Sequence, residues 1–374
     1  MNIVIAPDSF KECLTAPQVA QSIASGIKSV LPEASINLIP MADGGEGTAE
    51  ALVSASGGSW ISTTAYDPLM RLVDARYGIF PDRKTAVIDM AEPSGLTRLS
   101  SAERNPAVTS TFGTGQLIKH ALESGYKNII VGLGGSATND GGSGLATALG
   151  YRLLDAEENE LPPGGAALSR LARIDDSAVL PKLSQAAIQG AFDVHAPLTG
   201  PAGATMVYGA QKGADTSLQQ TLENALTHYG SRLSDFVGHA INDIPGSGAA
   251  GGLGAGLIAF AKAQLTPGVE LIAQSLDLEN TLQQTDWVIT GEGCLDDQTM
   301  QGKVAAGVAR LANKHDKPVF AIAGQITAGP DALEAMGISD AQAISPTGAD
   351  WDTILENTPK WLEECAAAFA RELL

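Results

Sequence analysis

The chain opens on a short apolar run, residues 2–6 (NIVIA), followed at once by the polar stretch Pro7-Asp8-Ser9-Phe10-Lys11. A run of this length bounded by turn residues predicts a buried strand and then a loop. Thr15 then caps a helix with Pro17 in its first turn, and Val19, Ile23, Ile27 and Val30 recur at helical spacing. A second apolar run, 36–39, ends in Pro40-Met41-Ala42-Asp43-Gly44-Gly45-Glu46-Gly47-Thr48, with a helix predicted from there to about residue 56. A βαβα opening in which each strand feeds a polar loop is the pattern of a parallel sheet.

Between 60 and 90 the period changes. Three β-like runs, 60–66, 72–79 and 85–90, alternate with turn signals and predict hairpin-connected strands. A helix over 115–123 leads to a buried strand, 128–132, which ends in a glycine-rich loop, 134–144, and a helix to about 149. A strand over 186–194 and helices over 204–211 and 216–237 follow, and the glycine-dense 245–252 begins a small-residue helix to about 263. The apolar 287–289 predicts a strand opening into a loop, 290–303 (TGEGCLDDQTMQGK), before a helix over 304–311. A strand over 319–323, a helix to 336, a strand near 341–344 and an amphipathic helix over 351–373 complete the pattern. The return of βαβα after 286 predicts an α/β fold of two domains. Both chain ends, 1–60 and 285–374, form one parallel-sheet domain, and 61–284 is an inserted α/β domain with a mixed sheet.

Composition narrows the partners. The 374 residues are 44% hydrophobic and 17% charged, a globular balance, with a net charge of -19. That field repels nucleic-acid phosphates and anionic membranes, so neither is expected as the main partner, and a homodimer is left open. Three cysteines without CxxC spacing and an amino end without a basic, apolar leader predict reduced thiols in the cytoplasm. Five scattered histidines argue against a histidine-rich metal site.

The chemistry concentrates in the loops after strands, where ligands bind in an open α/β sheet. Gly44, Gly45 and Gly47 beside Asp43, Glu46 and Thr48 suit an anionic ligand, with the two acids suited to Mg²⁺; helix capping is the plain alternative, but three glycines beside two acids exceed what capping needs. Asp8, Ser9 and Lys11 end the first strand, and Lys11 suits a carboxylate or phosphate. Asp193 ends another strand and could take a proton from an alcohol, bind a metal or simply close a turn. Gly134, Gly135 and Ser136, with Thr138, Asn139 and Asp140, offer groups for phosphate or ribose. Residues 246–251 fit GxGxxG, which includes Gly251 and is followed by Gly252, although close helix packing explains such a match as well. The 290–303 segment adds Glu292, Asp296, Asp297 and Lys303. No Walker loop, kinase HRD/DFG set or GxSxG elbow is present. Glycine, acid and lysine loops at one sheet edge suit phosphoryl transfer to a small substrate, which needs positioning, a divalent cation and cationic groups.

Five stretches carry a resemblance: Ala6–Lys11 (APDSFK), Pro40–Thr48 (PMADGGEGT), Leu161–Leu168 (LPPGGAAL), Gly248–Gly256 (GAAGGLGAG) and Ile289–Gly293 (ITGEG). Together they resemble the bacterial glycerate kinase family, type I, nearly end to end. The resemblance implies ATP-dependent phosphorylation of D-glycerate to 2-phosphoglycerate with Mg²⁺, on two α/β domains, one of them flavodoxin-like and built from both chain ends. On that footing Asp193 is the expected general base, with Lys11 and Lys303 neutralising carboxylate or phosphate charge. Asp8, Ser9, Asp43, Gly44, Gly45, Glu46, Thr48, Glu292 and Asp296 are expected at the substrate. Gly134, Gly135, Ser136, Gly251 and Gly252 are expected at the nucleotide, and Asp43 and Glu292 at the metal. Three positions depart from the family pattern: Glu12 stands where glycine is usual, Ala196 where Asn is, and Cys294 where Arg is. A binding protein of altered specificity on the same fold is the alternative.

Overall fold

A computed structural model describes residues 1–296, 299, 303–346 and 348–374. In chain order its strands are β1 (Asn2–Ile5), β2 (Ser35–Leu38), β3 (Ser59–Tyr66), β4 (Leu72–Ile79), β5 (Thr85–Asp89), β6 (Asn128–Gly132), β7 (Arg152–Leu154), β8 (Arg173–Asp175), β9 (Ala187–Phe192), β10 (Gln264–Pro267), β11 (Trp287–Leu295), β12 (Val319–Ile326) and β13 (Asp340–Ala343). The chain divides into two compact units: unit 1 is Met1–Asp43, Glu50–Gly57 and Gly268–Leu374, and unit 2 is Gly44–Ala49 and Gly58–Pro267.

Unit 1 is a five-stranded sheet in the order β13-β12-β11-β1-β2, all of its pairs parallel. From the β2 edge this is the 2-1-3-4-5 order of flavodoxin-like folds, with the switch point between β1 and β11. The α/β fold with a parallel sheet from both chain ends is therefore as the sequence predicts. Ile3, Ile5, Ile289, Phe320 and Ile322 line one sheet face and bury against the helices Ala16–Val30 and Trp351–Glu372. Those two helices meet closely because Gly26 has no side chain; a Cβ there would lie 2.2 Å from the Glu363 carbonyl oxygen. Phe369 stacks on Phe320 at 4.1 Å between ring centres, an aromatic pair within this core.

Unit 2 carries a six-stranded mixed sheet, β10-β9-β6-β5-β4-β3. β3, β4 and β5 are antiparallel neighbours, as the turn signals between them predict, whereas β5, β6, β9 and β10 run parallel. Its core is separate and is centred on Tyr77, Ile88, Val131, Leu145, Leu226, Tyr229, Leu253 and Phe260. Among the described residues no helix is long and apolar enough to cross a membrane.

One local expectation fails. The strand at 287 does not give way to a loop at 290 but continues to Leu295. Gly291 pairs with Ile322, Glu292 with Ala323 and Cys294 with Gln325. The glycines permit this extension, since a Cβ on Gly291 would lie 2.0 Å from the Ile322 carbonyl oxygen. The glycine and acid composition that reads as a loop is here a strand with close backbone neighbours.

Candidate functional site

In unit 1 the carboxyl ends of β1 and β11 bring several expected residues together. Asp8 leaves β1 with its backbone N–H donating to the Gly291 carbonyl at 2.8 Å, which fixes it beside Glu292. A pocket of about 390 Å³ opens there, and Asp8, Ser9, Lys11, Asp43, Glu292, Cys294 and Lys303 all line it. Lys11 reaches Asp43 at 3.2 Å from an exposed position. Lys303, the residue before the helix Val304–Asn313, lies 3.6 Å from Asp296 Oδ1. Asp297 lies outside the described residues.

The acids of this pocket are held unusually. Asp8 is buried, and burial together with the neighbouring Asp43 charge pushes its carboxyl up to about 8, against the pull of the Ser9 N–H and Lys11. Glu292 is only 6% exposed, and burial pushes it up to about 7, opposed by the Thr299 hydroxyl and the Lys303 charge. Its Oε1 is buried without a hydrogen-bond partner among the described residues. A buried carboxylate oxygen left unpaired is costly, and a cation or a ligand donor would relieve it. Among the described residues no group of three or more His, Cys, Asp or Glu side chains is placed to hold a metal by itself. The donor set fits the pattern of Mg²⁺ sites, in which one or two carboxylates share the ion with phosphate oxygens and water.

The turn that carries Lys11 is tight: Phe10 and Leu14 exchange backbone hydrogen bonds, and the Cys13 N–H also donates to the Phe10 carbonyl. Glu12 sits in it with φ of 64°, a left-handed conformation in which glycine is at ease and Glu is not.

The remaining expected residues belong to unit 2. Gly44, Gly45, Glu46 and Thr48 form a loop that unit 2 holds from within. The Gly44 carbonyl accepts from Leu133 N–H at 2.9 Å, and the Asp89 carboxylate accepts from Gly47 N–H at 3.1 Å and Ala49 N–H at 3.0 Å. The Thr48 hydroxyl donates to the Gly45 carbonyl at 2.8 Å, while Glu46 is exposed. Asp89 is a residue that the sequence reading missed; burial pushes it up to about 7 in spite of its two N–H donors. Its signal was available, an acid at the carboxyl end of an apolar strand.

The glycines expected at the nucleotide are packed. A Cβ on Gly134 would lie 2.3 Å from Gly45 Cα, one on Gly251 2.0 Å from the Thr138 carbonyl oxygen, and one on Gly252 2.8 Å from Leu198 Cδ1. Gly135 has φ of 67°, and Ser136 is buried. Ala250, Gly251 and Gly252 are all left-handed and kink the helix Ala249–Ala261 at its start. Asp193 is exposed just past the end of β9.

Beneath these loops lies a buried polar group in which Asp140, expected at phosphate or ribose, is turned to the chain itself, and in which Lys212 is a residue that sequence reasoning missed. Asp140 accepts from Thr111 N–H and hydroxyl at 2.8 and 2.9 Å and from Gly142 and Gly144 N–H at 3.2 Å each. Lys212 is 2% exposed and donates to the Thr138 carbonyl at 2.7 Å; burial pushes its ammonium down to about 7, with the Asp140 charge opposing. A hollow of about 820 Å³ elsewhere in unit 2, beside Tyr151, Phe236 and Lys262, contains none of the expected site residues.

Fold and pocket together define the class: a two-unit α/β protein whose flavodoxin-order sheet presents lysines and carboxylates to a small, charged ligand. The comparisons make it particular. The model of the glycerate kinase family matches residues 3–374. A protein of Halalkalibacterium halodurans named glycerate kinase is 47% identical over 99% of this chain and 97% of its own length. Glycerate 2-kinase of Escherichia coli K12 is 46% identical over 90% and 89%. The crystal structure of a putative glycerate kinase 2 from Salmonella typhimurium LT2 superposes with a TM-score of 0.90 at 44% identity, covering 100% of this chain and 98% of that one. The chain belongs to the glycerate kinase family and is an enzyme, a kinase.

Proposed function

We propose that this enzyme transfers the terminal phosphoryl group of ATP to D-glycerate, with Mg²⁺, giving 2-phosphoglycerate in the cytoplasm. The observation that carries the reading is the pocket at the carboxyl edge of unit 1, which two lysines, Lys11 and Lys303, line together with three acids, Asp8, Asp43 and Glu292. Phosphoryl transfer is mostly positioning and charge compensation, and this donor set supplies both. The name of the Escherichia coli relative supports the choice of hydroxyl.

In this reading Lys11 and Lys303 offset the charge of carboxylate and phosphates as point charges. Asp43 and Glu292 would hold the magnesium ion, which when bound would screen the phosphate oxygens; the orphaned Glu292 Oε1 is the fit for it. Asp8, Ser9 and Asp296 orient the acid substrate, along with Gly44, Gly45, Glu46 and Thr48. Asp193 accepts the proton of the attacking hydroxyl. Cys294 lines the pocket where the family pattern has Arg, which favours altered acid specificity as a second reading, since a thiol cannot clamp a carboxylate with two parallel hydrogen bonds.

The test is ADP release from purified protein with ATP, MgCl₂ and D-glycerate, followed by phosphorus NMR of the product. Release of ADP with the phosphate coupled to the proton on carbon 2 is the expected result. Coupling to the carbon 3 protons would refute the regiochemistry. No release with D-glycerate, but release with another hydroxy acid, would favour the second reading.

A further inference from the structure

We propose that the pocket of unit 1 receives the nucleotide beside the acid substrate, with the purine against Trp351 and Ile354 and the phosphates toward Lys11 and Lys303. This rests on the kinase reading above and adds where the nucleotide lies. Three observations carry it, and a fourth disfavours the obvious rival.

Size is the first. A three-carbon hydroxy acid would fill only about 200 Å³ even if each heavy atom took a full water's share of ~30 Å³. The pocket, at about 390 Å³, is roughly twice that, whereas ADP at the same share per atom takes about 800 Å³, so the acid alone leaves the pocket half filled and a nucleotide extends beyond it.

The second is the division of its lining. Asp8, Lys11, Asp43, Glu292 and Lys303 line it with charge, whereas Phe10, Trp351 and Ile354 line it with apolar surface. Trp351, the first residue of the helix Trp351–Glu372, is 49% exposed. A small polyhydroxy acid has no surface to set against an indole. A nucleotide has a flat apolar base at one end and anionic phosphates at the other. Stacking of a base on an aromatic side chain is worth roughly ten- to a hundredfold in affinity. Gln325 and Ser345, also in the lining, offer donors and acceptors for the edge of a purine.

The third is Glu292 Oε1, buried in the charged lining and unpartnered among the described residues. Magnesium arrives with nucleotide phosphates and takes one or two protein carboxylates. An orphaned carboxylate oxygen suits that ion better than it suits the carboxylate of an acid substrate, which would repel it.

The rival is the set of glycine loops in unit 2. There the space a side chain would take at Gly134 and Gly251 is already occupied by Gly45 Cα and the Thr138 carbonyl, so these glycines are required by protein packing.

The test is calorimetric titration of MgADP into the full chain, wild type and Trp351→Ala, alongside steady-state kinetics. Trp351→Ala is expected to weaken MgADP at least tenfold and to raise KM for ATP by as much, with KM for D-glycerate moving less than twofold; Trp351→Phe should restore most of the affinity. A second readout needs no substitution. Cys13 and Cys294 line the same pocket, so MgADP should slow their alkylation by iodoacetamide, followed by mass spectrometry. Unchanged MgADP affinity in Trp351→Ala, or alkylation indifferent to MgADP, would overturn the proposal. Should the wild type turn over D-glycerate while either of those holds, the nucleotide site is wrong and the kinase reading survives. Should it bind MgADP with Trp351-dependent affinity yet turn over no hydroxy acid, the site stands and the substrate reading fails.

Discussion

Glu292 at the edge of unit 1 and the acids beneath the loops of unit 2 are all pushed up by burial, but among the described residues only the latter have both carboxylate oxygens paired. Asp140 accepts four hydrogen bonds and Asp89 accepts two, nearly all from backbone N–H groups. Among the described residues Glu292 keeps an oxygen with no partner and faces a pocket, and Asp8 beside it is pushed up by burial and by the Asp43 charge. A saturated buried acid organises its own chain, because its hydrogen-bonding capacity is spent on loops. An unsaturated one beside a cavity keeps capacity for a ligand. Glu292 and Asp140 both sit among glycines in the sequence, and composition does not distinguish them.

Asp193 offers the sharpest challenge to a division drawn by unit, because it belongs to unit 2 and yet is exposed at a strand end. If exposure decides, Asp193→Asn should lower kcat by roughly 10²- to 10⁴-fold, the usual range for a lost general base, while the thermal midpoint stays put. Near-normal turnover would remove Asp193 from the chemistry. Asp140→Ala should do the reverse. It strands two buried backbone N–H groups in the loop and removes the acceptor of the Thr111 N–H and hydroxyl. The expected loss is about 3 kcal/mol or more of unfolding free energy, measured by denaturant titration.

A smaller effect concerns pH. Asp89 is raised from an ordinary aspartate value to about 7, so between about pH 4 and 7 the native state binds more protons than the unfolded chain. Its contribution is fully present below pH 4 and is lost as pH rises to about 7, at no more than about 1.4 kcal/mol per pH unit. Replacing it by Asn should flatten that part of the stability profile; an identical slope in the variant would contradict the assignment. The smallest effect is expected at the turn beside Lys11. Glu12→Gly removes a left-handed strain of about 1–2 kcal/mol and adds about 0.4–1 kcal/mol of chain entropy. The net should be a stabilisation of at most about 1.6 kcal/mol, read as a small rise in Tm.

Much of the fold is legible because its signals are local. Ile3 to Ile5, Thr15 with Pro17, and the turn residues around 67 and 81 each announce an element without help from the rest of the chain. Other elements depend on neighbours. β11 runs on through Gly291 and Glu292 because β12 lies alongside, which no window of sequence contains. β7 and β8 are three residues each, too short to show a period, and β10 is a four-residue edge strand ending in Pro267. The site divides in the same way. Asp8, Lys11, Asp43, Glu292 and Lys303 stand out as charged residues at strand ends and do line one pocket. Trp351 does not, because on its helix it reads as one more position of an amphipathic face. Lys212 and Asp140 are buried by contacts far apart in sequence, Lys212 donating to a carbonyl 74 residues away.

Glu292→Gln tests the central contrast most directly. The substitution keeps the shape, removes the charge and needs no new cavity. Measured together, kcat/KM for D-glycerate with MgATP should fall about 100-fold or more, while the denaturation midpoint holds or rises because an unpaired buried charge is gone. Turnover close to wild type, or a loss of stability parallel to the loss of activity, would place Glu292 with Asp140 as a structural acid and contradict the account.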